Sequence, residues 1–305
     1  MPSHINSQTA KTGKTALLLG AGYVASHLAP ALVKEGYQVF GTTRSNEHIG
    51  ELKRCGITPI ATENLEEPKL QDAFEQADLI LSSISPEKSP GINGFYDPVL
   101  RGLNRTKIKA SWVGYLSATS VYGDRAGQWA FEGESPTPRL KRGRARAEAE
   151  MEWLETLWPV HIFRLAGIYG PGRAPFKKLR NGAARAVVKK DHVVNRIYVE
   201  DIVSAVMASI SAPNPQRIYN IADGHPAPPQ DVLDFAAKLI GVETPPRVDL
   251  DDESVSKMAR SFYRETKRVD ISRAKRELDW APEYKDYKEG LRAILKAETR
   301  DTPRN

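Results

Sequence analysis

A single cysteine, Cys55, stands among 305 residues, which excludes an internal disulfide and any metal site built on several thiolates. The six histidines are scattered, with none paired at i,i+4 to another ligand, so spacing gives no metal site. No apolar run approaches the ~20 residues needed to span a bilayer. The opening stretch, Met1–Lys14, is polar and has no apolar signal core. The expectation is a cytoplasmic protein without a membrane partner. Repeats and low-complexity blocks are missing too. A one-sided charge is present but modest: 44 Lys and Arg against 38 Asp and Glu, a formal net charge of +6. Its densest segment, Arg139–Arg146, runs into a helical stretch carrying Glu148, Glu150 and Glu152, with Arg144–Glu148 and Arg146–Glu150 at i,i+4 spacing. No aromatic platform is interleaved with it, so a nucleic-acid partner is not expected. The expected partner is a small molecule, with the chain a monomer or homodimer.

Apolar strand-like runs alternate with helical patterns through the first half. Strands are predicted at Ala16–Leu19, Gln38–Thr42, Thr58–Ala61, Leu79–Ser82, Ser111–Leu116 and His161–Leu165, and helices at Tyr23–Glu35, Glu47–Cys55, Lys69–Gln76, Asp97–Arg105 and Arg142–Leu157. This alternation predicts an α/β fold with a doubly wound parallel sheet, the Rossmann arrangement, whose ligand site lies at the carboxyl ends of the strands. After Leu165 the rhythm changes, with helices expected at Val199–Ser211, up to Ile240, at Ser272–Leu278 and at Tyr287–Ala297, and a short strand at Ile218–Ile221. The division expected is a tail at 1–13, a nucleotide-binding domain at 14–170, a smaller substrate-facing lobe at 171–298 with elements returning to the sheet, and a tail at 299–305.

The most informative stretch is Gly20-Ala21-Gly22-Tyr23-Val24-Ala25, set between an apolar strand and a helical pattern. This is the G-x-G-x-x-A form of the dinucleotide-binding turn. Gly20 permits the tight turn and Gly22 lets the backbone approach a pyrophosphate. The helix start at Tyr23 and Val24 offers free N–H groups to it. One blemish is Pro30, which should kink that helix. Where an NAD site places Asp or Glu at the end of the second strand, this chain has Thr43-Arg44-Ser45. A guanidinium suits a ribose 2′-phosphate, so NADP is expected over NAD.

The chain resembles the extended short-chain dehydrogenase/reductases, the NAD(P)-dependent epimerase/dehydratase group. The resemblance rests on the glycine turn, on Leu116-Ser117-Ala118-Thr119-Ser120-Val121-Tyr122-Gly123-Asp124, on Arg164-Leu165-Ala166-Gly167-Ile168-Tyr169-Gly170-Pro171-Gly172, and on Asn195-Arg196-Ile197-Tyr198-Val199-Glu200-Asp201. It covers about Lys14 to Ala297. It implies Tyr169 near the cofactor and a catalytic Y-x-x-x-K pair at the start of the helix after the serine-rich segment. Here Arg142 and Arg146 occupy those two positions, and Ala118 takes that of the serine partner. A guanidinium has no acceptor and cannot exchange protons as a tyrosinate does.

Three readings stay open. Another acid, among Ser117, Thr119, Tyr122 and Tyr169, takes the proton; Arg142 and Arg146 stabilise an oxyanion; or the protein binds NADP(H) without turnover, as a sensor or regulator. Glu132 and Glu134 are further acids in a substrate-side loop. Arg173, Lys177, Lys178 and Arg180 suit an anionic or nucleotide-sugar substrate. The resemblance also implies a four-helix dimer surface with Trp153, Leu154 and Leu157. The expected function is an oxidoreductase or epimerase/dehydratase-like enzyme acting on a carbonyl or hydroxyl, with an atypical site.

Overall fold

The computed structural model describes residues 13–91, 93–103 and 107–301. Seven strands form one parallel sheet: β1 (Lys14–Leu19), β2 (Tyr37–Thr43), β3 (Ile57–Ala61), β4 (Leu79–Ser82), β5 (Trp112–Ala118), β6 (Val160–Leu165) and β7 (Arg217–Ile221), in the order β7-β6-β5-β4-β1-β2-β3. β4 and β6 are buried at every position, as strands covered by helices on both faces must be. Leu18, Val39 and Phe163 turn to one face; Leu17, Leu19, Val113 and Tyr115 turn to the other. The first half contributes five helices: α1 (Tyr23–Lys34), α2 (Ile49–Arg54), α3 (Pro68–Gln76), α4 (Pro98–Leu103) and α5 (Lys141–Leu154). The chain builds outward from β1 through β2 to β3, then returns to β4 and continues the other way to β7. The crevice between β1 and β4 is therefore the topological switch point.

The remaining helices are α6 (Phe176–Arg180), α7 (Val199–Ser211), α8 (Pro229–Ile240), α9 (Lys257–Phe262), α10 (Ser272–Glu277) and α11 (Tyr287–Asp301). Of these, α7 returns to the sheet and packs Ile202, Val203 and Val206 into the same cluster as Leu28 and Leu32 of α1. A separate apolar cluster joins Tyr169, Phe176, Val232, Ala236, Tyr287, Leu291 and Ile294 across α6, α8 and α11. The short strand expected at Ile218–Ile221 is β7, the seventh member of the main sheet, because Ile218, Tyr219 and Ile221 pair with Ile162, Phe163 and Leu165 of β6.

Helix α1 runs through Pro30, which stands on its exposed side. Two expectations are corrected here. Trp153 is not a surface residue: its indole donates to Asp97 Oδ2 at 3.0 Å and stacks on Tyr115. Leu157 is fully exposed. The boundary expected at residue 298 is passed by α11, which extends to Asp301. Residues 1–12 and Arg105, the expected end of α4, lie outside the described residues.

Candidate functional site

The glycine turn lies where β1 ends. Gly20 has φ +80°, a conformation that favours glycine, and a Cβ there would press on Ile84 and Ser83 at 3.0 Å. Its N–H donates to Thr42 Oγ1 at 2.8 Å and Ala21 N–H to the Thr42 carbonyl at 2.8 Å. The Ser83 hydroxyl donates to the Gly20 carbonyl at 2.6 Å. The turn is thus fastened to β2 and to the loop after β4, across the switch point. Gly22 faces open space, the nearest neighbour of a Cβ being the Gly20 carbonyl at 3.9 Å.

The start of α1 has no side-chain cap and no acidic residue in its first turn, so the N–H groups of the first turn and the positive end of the helix dipole are available to an anion. Val24 is corrected in one respect: its side chain is buried in the core, so only its backbone can meet a ligand. Tyr23 donates its hydroxyl to the Pro171 carbonyl at 2.9 Å and carries the Arg173 guanidinium over its ring at 4.0 Å. Mainly through desolvation, its pKa is pushed up to about 12.

At the end of β2, Thr43 is folded into a turn, its hydroxyl donating to the Ser45 carbonyl at 3.1 Å. Ser45 caps the next turn by accepting from Glu47 N–H at 3.2 Å. Arg44, between them, is exposed and has no partner among the described residues. A guanidinium with all its donors free, on the same sheet edge as the glycine turn, fits a phosphate group.

A cavity of about 470 Å³ opens at the carboxyl ends of β5 and β6, next to Ala118 and Leu165. Thr119, Ser120 and Arg142 form one wall; His192 to Arg196 form another; Phe262, Tyr263, Glu265 and Lys267 complete it. Gly143 lets α5 lie this close, because a Cβ there would strike the Ser120 carbonyl at 2.4 Å. The 265–269 segment is fixed by Asn195, which donates to the Lys267 carbonyl at 2.9 Å and accepts from Val269 N–H at 2.9 Å.

Of the catalytic candidates, the cavity gathers Thr119 and Arg142. Arg142 donates to Ser261 Oγ at 2.9 Å and to its carbonyl at 3.3 Å, and lies over the Phe262 ring at 4.2 Å. Arg146 turns elsewhere, donating to the Leu116 carbonyl at 2.9 Å, Tyr115 Oη at 3.0 Å and Ser85 Oγ at 3.0 Å. It braces β5 against the loop after β4.

Four sequence candidates are corrected, because their polar atoms are buried and committed to the protein. Ser117 donates to Glu150 Oε1 at 2.5 Å, beneath a fork in which Arg164 donates to both oxygens of that carboxylate. Tyr122 donates to Asn220 Oδ1 at 2.7 Å with Arg164 over its ring, and desolvation pushes it up to about 12. Tyr169 lies in the α6–α8–α11 cluster and donates to the Asp286 carbonyl. Glu132 accepts from Asn220 N–H at 3.0 Å; burial raises its pKa, and it does not line this cavity. Glu134 pairs with Arg125 at 3.3 Å. Of Arg173, Lys177, Lys178 and Arg180, none lines the cavity, and Arg180 pairs with Glu298.

The cavity residues missed by sequence reasoning are His192, Glu265 and Lys267. His192 is buried with neither ring nitrogen hydrogen-bonded among the described residues, and lies tilted against the Tyr263 ring at 4.7 Å. Burial, reinforced by Lys189, Lys267 and Arg196, pushes its pKa down to about 4. Lys267, also buried, meets Glu265 Oε2 at 3.3 Å, and burial lowers its pKa. Of this wall, the sequence reading picked out Asn195 and Arg196, as part of the family resemblance.

Sheet order, switch-point glycine turn and edge cavity together define a Rossmann-like α/β protein. Its first part, residues 14–101, matches the family described as NADP oxidoreductase, coenzyme F420-dependent. Over 244 residues the chain is 30% identical to Protein YeeZ of Escherichia coli (strain K12), spanning 76% of this chain and 86% of that protein. The chain belongs to the YeeZ family. A solved structure of a functionally unknown conserved protein from Silicibacter pomeroyi DSS superposes with a TM-score of 0.86 at 41% identity, covering 93% of this chain and 99% of that one. The UDP-glucuronic acid 4-epimerase from Bacillus cereus, solved in complex with NAD, shares the fold with a TM-score of 0.73 at 19% identity, over 94% of this chain and 99% of that one.

Proposed function

We propose that this protein binds a nicotinamide dinucleotide along the carboxyl edge of the sheet, NADP in preference to NAD. In this reading it acts as an oxidoreductase or epimerase/dehydratase-like enzyme on the hydroxyl or carbonyl of a small molecule held in the cavity beside Ala118. The observation that carries the reading is one of placement. The uncapped helix start at Tyr23 and the open face of Gly22 lie on the same edge as the free guanidinium of Arg44. The NADP description of the matching family and the NAD-bound epimerase of the same fold support it.

Gly20, Gly22 and the backbone of Tyr23 and Val24 hold the pyrophosphate, and Arg44 with Ser45 holds a 2′-phosphate. The cofactor, when bound, supplies hydride acceptance and donation. Arg142 and the free hydroxyl of Thr119 face the substrate oxygen, one as a fixed positive charge and the other as a donor. Arg142 cannot itself accept a proton. Its ties to Ser261 and Phe262, with Ala118 in place of a hydroxyl, favour a second reading in which the cofactor is bound without turnover.

Titration with NADPH and NADH, read by fluorescence, tests binding. Single-turnover assays on aldehydes, ketones and nucleotide sugars then separate the two readings. Hydride transfer to any of them supports the enzyme, and tight NADPH binding with no transfer across the panel supports the sensor.

A further inference from the structure

We propose that the cavity beside Ala118 binds a compact organic anion, a carboxylate or phosphate that also carries a hydroxyl or carbonyl, gripped by Arg142, Arg196 and Lys267 with His192 as a hydrogen-bonding partner. This deepens the enzyme reading by naming its substrate class, and rests on that reading only for what happens to the molecule once bound.

The three cations line one cavity with a single carboxylate, Glu265, which is already beside Lys267. Arg196 uses only Nη1 in hydrogen bonds, to the Val194 and Ala227 carbonyls at 2.9 and 3.1 Å. Asp223, the carboxylate that acts on Arg196, is itself shifted by burial to about 7, so it offsets that charge incompletely near neutrality. Positive charge held away from bulk water attracts an anion far more strongly than a solvated surface patch does.

His192 gives the second requirement. It is 2% exposed, and both ring nitrogens lack a partner among the described residues, as does Glu265 Oε1. Buried polar atoms are rarely left so, since each has lost its hydration without gaining a hydrogen bond in return. Burial first, and then the surrounding cations, keep the imidazole neutral, with one nitrogen a donor and the other an acceptor. A hydroxyl or carbonyl beside the anionic group matches it. Compactness follows from the surroundings. A longer diphosphate ligand would need the basic residues beyond Pro171, but Arg173 is stacked on Tyr23, Arg180 is paired with Glu298, and neither lines the cavity.

The test titrates L-malate and sn-glycerol 3-phosphate into the full-length protein by calorimetry, with and without NADP. The expected result is that at least one probe binds, about tenfold more weakly (~1.4 kcal/mol) in Arg142→Met, and unchanged in Arg180→Met. The tighter probe identifies the charged group. The double variant Glu265→Gln/Lys267→Met keeps the pair neutral if Lys267→Met alone does not fold, and is expected to lose the same affinity. In 15N-histidine NMR the His192 ring nitrogens should shift when the probe binds.

Absence of binding by both probes at about 10 mM overturns the proposal, as does binding weakened by Arg180→Met and not by Arg142→Met. Anion binding is measured without cofactor as well. Failure of NADPH to bind would therefore overturn the dinucleotide reading and leave this result standing.

Discussion

Two groups of charged side chains lie one helix apart and are used in opposite ways. Beneath α5, Glu150 and Arg164 form a buried fork completed by Ser117, and the Tyr122 ring under Arg164 leads on to Asn220. Beyond the end of the same sheet, Arg142, Arg196, Lys267 and His192 surround a cavity with one carboxylate among them and two imidazole nitrogens unpartnered among the described residues. The first group is nearly saturated by the protein and holds β5, β6 and β7 to one another. The second leaves the His192 nitrogens and Glu265 Oε1 without partners among the described residues, which is what the proposed anion site would use. Residue type alone does not separate them; partner count does.

The comparison is broken most severely at Glu150. Glu150→Ala leaves the Arg164 charge buried without its counter-charge, and is expected to cost about 3–5 kcal/mol of stability in urea unfolding. A loss under about 1 kcal/mol would show that the fork is not the support described. Next comes Asp223. Burial raises it to about 7 from an ordinary value near 4, so the folded state keeps a proton that the unfolded chain has lost. Stability contributed by this group therefore falls as pH rises from about 4 to about 7. Asp223→Asn should remove that slope and leave the protein more stable than the parent by about 1–3 kcal/mol at pH 8. A variant less stable than the parent at pH 8 would show that Arg196 depends on the carboxylate charge.

Smaller still is Tyr122→Phe, which removes one buried hydrogen bond to Asn220 and should cost about 1–2 kcal/mol. Because the hydroxyl is committed there, activity per folded molecule should not change. The smallest effect is expected at Arg142. Its substitution by methionine should alter stability by no more than about 0.5–1 kcal/mol, while weakening anion binding.

The sheet was legible because its strands are continuous apolar runs and its turns carry glycine. Six predicted strands fall within a residue or two of β1 to β6, and the glycine turn lies at the switch point. Thr42, which fastens that turn, was not legible, because a threonine in a strand gives no sign of which face or partner it serves. The serine-rich and Tyr122 segments were legible as landmarks, but the buried commitments of Ser117 and Tyr122 were not. Pleat direction sends Ser117 toward Glu150, and the turn after β5 sends Tyr122 toward Asn220; neither is set by local sequence. His192 and Lys267 were hidden for a different reason. They come from segments 75 residues apart, joined by hydrogen bonds from Asn195 to Lys267 and Val269 and from Val193 N–H to the Thr266 hydroxyl.

The central claim is that the glycine turn and Arg44 together hold NADP. It is tested most directly by titrating parent and Arg44→Asp proteins with NADPH and NADH, following nicotinamide fluorescence. The account predicts that the parent binds NADPH at least about tenfold more tightly than NADH, and that Arg44→Asp abolishes or reverses this preference, a change of about 1.4 kcal/mol or more. A parent protein that binds neither nucleotide, or a preference untouched by Arg44→Asp, would contradict it.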